Sequence, residues 1–175
     1  MNYKIILMNK SKSKQLAYLL RHDKNYEFEA GGWRQLSDLY QNHSFSSEEI
    51  IDIVSGDDKG RFELRSDKAK VRALYGHSVK IDLLLPKQEP PLRLLHGTAL
   101  KYIDSIRNYG LKSKSRQYVH LTEDKDLAIM TGSRHGQAVL LEIDSLAMFN
   151  DGYNFYHTNN GTWLTAEVPV QYIIF

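Results

Sequence analysis

A chain of 175 residues with 42% hydrophobic and 25% charged residues has the material for one domain or two small lobes of a soluble globular protein. It contains no cysteine, which excludes disulfides, thiolate nucleophiles and cysteine-based zinc sites, and its longest apolar runs, such as IILM and IDLLL, fall far short of the roughly 20 residues that span a bilayer. The formal net charge of +2 falls entirely in residues 1–85, and residues 86–175 are balanced, so neither half is a polybasic block suited to wrapping long nucleic acid. The N-terminal segment lacks the pattern of a signal peptide, and the chain is expected in the cytoplasm.

In chain order, SKQLAYLLRH reads as a first helix, with Leu16, Leu19 and Leu20 on one stripe and Arg21 and His22 away from it. WRQLSDLYQN reads as a second helix, with Leu36, Leu39 and Tyr40 at helical spacing. SSEEIIDIVSG reads as a third, opened by the capping-box pair Ser46 and Glu49. RFELR and KVRALY, separated by Ser66-Asp67-Lys68, read as a hairpin, and VKIDLLL as a further strand. Three short helices and a hairpin predict a winged-helix lobe over residues 1–85. Its third helix carries Glu48, Glu49 and Asp52 without a cation, which argues against reading DNA in the major groove.

PKQEPP (Pro86–Pro91) holds three of the four prolines and is taken as a seam. Beyond it, residues 92–175 alternate strand and helix. LRLLHGT is a strand, ALKYIDSIRNYG a helix stopped by Gly110, and QYVHLT a strand. Thr122 is expected to cap a helix over DLAIMTG, AVLLEID is a buried strand, and GTWLTAEVPVQYIIF supplies one or two more. The expected fold class is α+β in two lobes.

Neither common glycine-loop nucleotide pattern occurs, no GxSxG elbow is present, and His96, His120, His135 and His157 lack metal-ligand spacing, so no metal is expected. What recurs is arginine with histidine: Arg21 with His22, Arg72 with His77, and Arg134 with His135 in GSRHG. At the end of the first helix such cations also answer the macrodipole, worth about 0.3 to 1 kcal/mol. Forked guanidinium donors fit a phosphate dianion better than lysines do.

The ordered set SKQLAYLLRH, GGWRQLSDLY, KGRFEL, VRALYGHSV, LLHGT, VHLT, GSRHG and NGTWLTAEVPVQYI resembles the tRNA 2′-phosphotransferase family of KptA type, over nearly the whole chain. The resemblance implies an N-terminal winged-helix lobe that holds RNA and a C-terminal lobe of ADP-ribosyltransferase type that holds NAD+, consumed as co-substrate. It implies that an internal RNA 2′-phosphate displaces nicotinamide from NAD+, and that a second step yields 2′-hydroxyl RNA and ADP-ribose 1″,2″-cyclic phosphate, as in tRNA splicing. By motif match the catalytic residues are Arg21, His22, Arg72 and Arg134. Arg21, His22, Arg72, His77 and Ser78 fall to the substrate phosphate; His96, Gly97, Thr98, His120, Gly132 and Arg134 fall to NAD+. Tyr75 stands where the family is expected to have glutamine, Thr162 where valine is expected, and DKNYEFEAGGW replaces the usual proline-containing turn after LRH. Two alternatives stay open: an ADP-ribosyltransferase of nucleic-acid phosphates that stops after one step, and a non-catalytic winged-helix module that senses NAD+. Nothing in the sequence calls for more than a monomer.

Overall fold

The computed structural model describes residues 3–175, with side chains from Lys10 onward. The chain divides between Leu84 and Leu85 into two compact units, each with its own hydrophobic cluster. The architecture is mixed α and β, and every named strand pair is antiparallel.

The first unit runs α1 (Tyr3–Arg21), β1 (Trp33–Gln35), α2 (Leu36–His43), α3 (Ser47–Ser55), β2 (Phe62–Leu64) and β3 (Lys70–Ala73). Each helix buries one stripe: Leu16, Leu19 and Leu20 from α1, Leu36 and Leu39 from α2, Ile50 and Ile53 from α3. At about 1.5 to 3 kcal/mol per buried aliphatic side chain, this shared cluster supplies the main drive for docking the helices. Ser46 caps α3 as its sequence announced, accepting from Glu49 N while Glu49 Oε2 accepts from Ser46 N. The three strands form one sheet in the order β1-β3-β2, with the β2–β3 turn at Arg65–Ala69 as expected of a hairpin.

Three expectations for this unit are corrected. WRQ does not open the second helix: it forms β1, pairing Trp33, Arg34 and Gln35 with Arg72, Val71 and Lys70, because a free edge of β3 satisfies its backbone before the helix begins at Leu36. The first helix starts upstream of the predicted Ser13. VKIDLLL is not a strand. Ile81 and Leu83 are buried while Lys80 and Asp82 are exposed, so the alternation is real, yet β3 already has a neighbour on each side. The segment is instead held by the Gly31 N–H on Asp82 O at 3.0 Å, and Leu84 turns away with φ of 54°.

The second unit contains β4 (Leu94–Ala99), a 3-10 turn (Leu100–Tyr102), α4 (Ile103–Tyr109), β5 (Leu111–Lys112), β6 (Val119–Thr122) and α5 (Lys125–Ser133). These are followed by β7 (Ala138–Ile143), α6 (Ser145–Asn150), β8 (Tyr156–His157), β9 (Thr162–Thr165), β10 (Glu167–Val168) and β11 (Ile173–Ile174). Six strands form a sheet in the order β11-β7-β4-β6-β9-β8, and β10 pairs with β5. Leu94, Leu121, Leu141, Ile143, Met148, Phe155 and Trp163 fill its core. Gly110 ends α4 with φ of 72°, as a terminating glycine should.

Here too the prediction is corrected in detail. Asp124, not Thr122, is the N-cap of α5: its carboxylate accepts from Leu127 N at 3.0 Å, while Thr122 Oγ1 accepts from Asp124 N. The C-terminal stretch yields three short strands rather than one or two, and β5, α6 and β8 were not anticipated. Among the described residues no helix is long and apolar enough to cross a membrane.

Candidate active site

In the first unit the end of α1 meets the segment after β3. The last carbonyls of a helix need donors from beyond it, and here Arg21 O receives them from distant chain. His22 N–H reaches Tyr18 O at 2.8 Å, and the N–H groups of Ser78 and Val79 reach Arg21 O at 2.9 and 3.4 Å. Side chains follow the backbone: His22 Nδ1 lies 2.9 Å from Ser78 Oγ. Arg21 lies on the Tyr75 ring, its guanidinium carbon 5.0 Å from the centroid, and packs over Gly76. Gly76 has φ of 86°, and a Cβ there would stand 3.3 Å from the Arg21 guanidinium carbon, so glycine both permits the turn and leaves room for the arginine. Tyr75, the departure from the family pattern, is therefore the platform of Arg21.

His77 is 2% exposed, and neither ring nitrogen has a hydrogen-bond partner among the described residues. Burial, then the positive charges of Arg21 and His22, push its pKa down to about 4, so it is a neutral imidazole at pH 7. Arg21, His22, His77 and Ser78 are thus brought together by this fold. A groove of about 570 Å³ begins at Ser78 and is walled by Lys24 and Lys80, by the rings of Tyr26 and Phe28, and by four acidic residues, Asp23, Glu27, Glu29 and Asp82.

Arg72 is held in another way. It lies on the outward face of β3 with Trp33 opposite on β1 and Glu63 opposite on β2. Its guanidinium stacks on Trp33 with 4.5 Å to the centroid, donates from Nε to Glu63 Oε2 at 2.7 Å and from Nη1 to Gly31 O at 3.1 Å. One edge of its fork is engaged by a carboxylate, which fixes the guanidinium plane.

In the second unit the expected residues lie on adjacent strands and the helix packed over them. His96 on β4 points Nδ1 at His120 O (3.0 Å), and His120 on β6 points Nδ1 at Tyr118 O (3.1 Å). A carbonyl only accepts, so both rings carry their proton on Nδ1 in these bonds. Burial lowers the pKa of His96, with the bond to His120 O opposing it. Gly97 and Gly132 let helix and strand touch: a Cβ at Gly97 would lie 1.6 Å from Ala128 O, and one at Gly132 would lie 2.5 Å from Thr98 O. Their missing side chains are filled by backbone of α5 and β4. Thr98 is buried beside this contact, and α5 delivers Arg134 and His135, both exposed, just past its end. Thr162, the second departure, accepts through its carbonyl from Thr158 and so closes the β8–β9 turn. Glu167 is paired with Lys112 across β10 and β5. No group of three or more His, Asp or Glu suited to a metal ion occurs among the described residues.

Arg34 was missed altogether. It is 1% exposed and makes four hydrogen bonds. The pattern WRQ hides it, because an arginine off the apolar stripe of a helix reads as a solvent-facing residue; in the strand it becomes, Trp33 and Gln35 are the outward pair and Arg34 points inward. The acidic residues Asp23 and Asp38 were the available signal.

A family model described as RNA 2′-phosphotransferase, Tpt1/KptA family, matches residues 8–167 of the chain. A protein of Acaryochloris marina named probable RNA 2′-phosphotransferase is 45% identical over 173 residues, covering 94% of this chain and 96% of its own. Proteins of the same name from Flavobacterium johnsoniae and Pectobacterium atrosepticum are each 41% identical, covering 95% and 92% of this chain and 96% and 94% of theirs.

Proposed function

The chain belongs to the Tpt1/KptA family of RNA 2′-phosphotransferases, and from that premise we propose that it transfers an internal RNA 2′-phosphate to NAD+, as in tRNA processing. The observation that carries this reading is the convergence of Arg21, His22, His77 and Ser78 at the end of α1, a cluster of cation, imidazole and hydroxyl with a groove beside it. The first unit is read as a winged-helix lobe, supported by its order of helix, strand, two helices and two strands around a three-stranded antiparallel sheet. The second is read as an ADP-ribosyltransferase-like lobe for NAD+, supported by HGT and VHL standing on neighbouring strands β4 and β6.

In the first step a 2′-phosphate oxygen attacks the anomeric carbon of the nicotinamide ribose, and the C–N bond breaks with its electron pair leaving on nicotinamide. The phosphate is already an anion, so no base is required; orientation is the demand, and Arg21, Ser78 and Arg72 would supply donors for the phosphate and Arg134 a donor for the pyrophosphate of NAD+. His96, with Nδ1–H committed to His120 O, presents Nε2 as an acceptor for a ribose hydroxyl.

In the second step the ribose 2″-hydroxyl attacks phosphorus and loses its proton, the bond from phosphorus to the RNA 2′-oxygen breaks, and that oxygen takes a proton. His22, held by Ser78, is positioned to move one of these protons, and the arginines balance charge on the phosphoryl oxygens. His77, neutral at pH 7, carries a single ring N–H that has no protein partner among the described residues and is left as a donor for the phosphate.

The test is incubation with NAD+ and an oligonucleotide carrying one internal 2′-phosphate. Nicotinamide, ADP-ribose 1″,2″-cyclic phosphate and 2′-hydroxyl RNA are expected in equal amounts. Nicotinamide with a stable ADP-ribosylated RNA would stop the reading at the first step. Binding without any nicotinamide would reject it.

A further inference from the structure

Arg34 is a charged side chain in the interior of the first unit, where a guanidinium persists only if its donors are matched. Nε donates to Asp38 Oδ2 at 2.6 Å, Nη1 donates to Asp23 Oδ2 at 2.8 Å and to Leu19 O at 2.9 Å, and Nη2 donates to His43 Nε2 at 2.8 Å. The Tyr26 ring covers one guanidinium face at 3.9 Å, and the Tyr26 hydroxyl accepts from Gln35 N. Four of the five N–H groups of the fork are thus spent on fixed partners. Burial raises the Asp23 and Asp38 carboxyls, but hydrogen bonds from Arg34, Asn25 N and Asn42 together with the nearby positive charge hold both below the usual carboxylate range.

What these partners have in common is position. Leu19 O belongs to the last turn of α1, two residues before Arg21, and Asp23 is the residue after His22. Arg34 therefore grips the chain on both sides of the Arg21-His22 pair. Asp38 and His43, both on α2, anchor the other end of the guanidinium. Ser78 and Val79 hold Arg21 O from a third direction. With the backbone pinned before, at and after the pair, the direction of the His22 ring toward Ser78 is set by the fold rather than by the ligand.

We infer that Arg34 is a positioning residue for the proposed phosphate site: by binding Leu19 O and Asp23 together it fixes the helix end that presents Arg21 and His22. The inference rests on the reading of this cluster as the site of 2′-phosphate chemistry, and it can be tested apart from that reading. Arg34→Lys keeps a cation for Asp23 and Asp38 but cannot reach Leu19 O and His43 as well. Where that variant fails to fold, the triple change Arg34→Met, Asp23→Asn and Asp38→Asn removes the buried charges together and keeps an apolar stem in place.

Two measurements are made on the folded protein, its integrity checked by thermal melting. The imidazole nitrogen resonances of His22 are followed by NMR, and kcat and KM are measured with NAD+ and the 2′-phosphorylated oligonucleotide. The His22 resonances should shift away from the state fixed by Ser78, kcat should fall by about thirtyfold or more, and KM for NAD+ should stay within about twofold. Unmoved His22 resonances in the variants overturn the inference, and so does a shift with kcat unchanged. If the wild-type protein turns over no substrate while the His22 resonances still respond to Arg34, the functional reading fails and the positioning of the helix end stands.

Discussion

A β-carbon at Gly97 would stand 1.6 Å from Ala128 O, a distance no side-chain rearrangement relieves because both atoms belong to backbone. Gly97→Ala should therefore push α5 off β4 and destabilise the protein by about 3 kcal/mol or more, read as a lower urea midpoint. His77 gives a prediction in pH. Its pKa falls from 6.5 to about 4 on folding, so the unfolded chain binds the extra proton first as pH drops. Stability tied to this group is complete above pH 6.5 and is lost progressively toward pH 4, by on the order of 3 kcal/mol. Urea titrations from pH 7 to 4 should show that component, and His77→Leu should lack it; equal slopes for both proteins would refute the burial argument. The arginines divide by setting. Arg21→Ala should lower phosphate removal by about a hundredfold or more; its carbonyl keeps the Ser78 and Val79 N–H groups, and the lost contact with Tyr75 should lower stability by about 1 kcal/mol, far less than the loss of rate.

Elements whose termini carry their own chemistry follow the sequence closely. The Ser46–Glu49 box sets the start of α3, and Ser46→Ala should cost about 1 kcal/mol in denaturant unfolding. Gly110 stops α4 because only glycine adopts its φ of 72° without strain. Elements whose identity depends on a distant partner do not follow. WRQ reads as helical by its apolar spacing, yet it becomes β1 because β3 offers an edge some 35 residues later in the chain. VKIDLLL has strand alternation but no edge to join, so it stays irregular. The same logic divides the candidate site. Arg21, His22, Arg72, His96, His120 and Arg134 stand out as candidates because each sits in a local motif. Their settings do not: the engagement of Arg72 by Glu63, the Tyr75 platform under Arg21 and the burial of Arg34 all join residues far apart in sequence.

Across the whole molecule the net charge of +2 is small, and many cations of the first unit are already paired: Lys12 with Glu49, Arg61 with Asp57, Arg65 with Asp67, Lys70 with Glu29. RNA binding should then depend on a few local phosphate contacts, with log affinity against log salt no steeper than about −3. A steeper slope in titrations of labelled oligonucleotide would show a wider electrostatic footprint. The sequence by itself determined the composition limits, the α+β alternation, the two apolar clusters and the ordered motifs that mark the family, because these depend on residue type and short-range periodicity. Tertiary structure alone decided strand order, the backbone contact between Gly97 and Ala128, the environment of His77 and the partners of Arg34. Each of these is a long-range pairing of groups that must be matched once water is removed, and no local pattern encodes which distant group will do the matching.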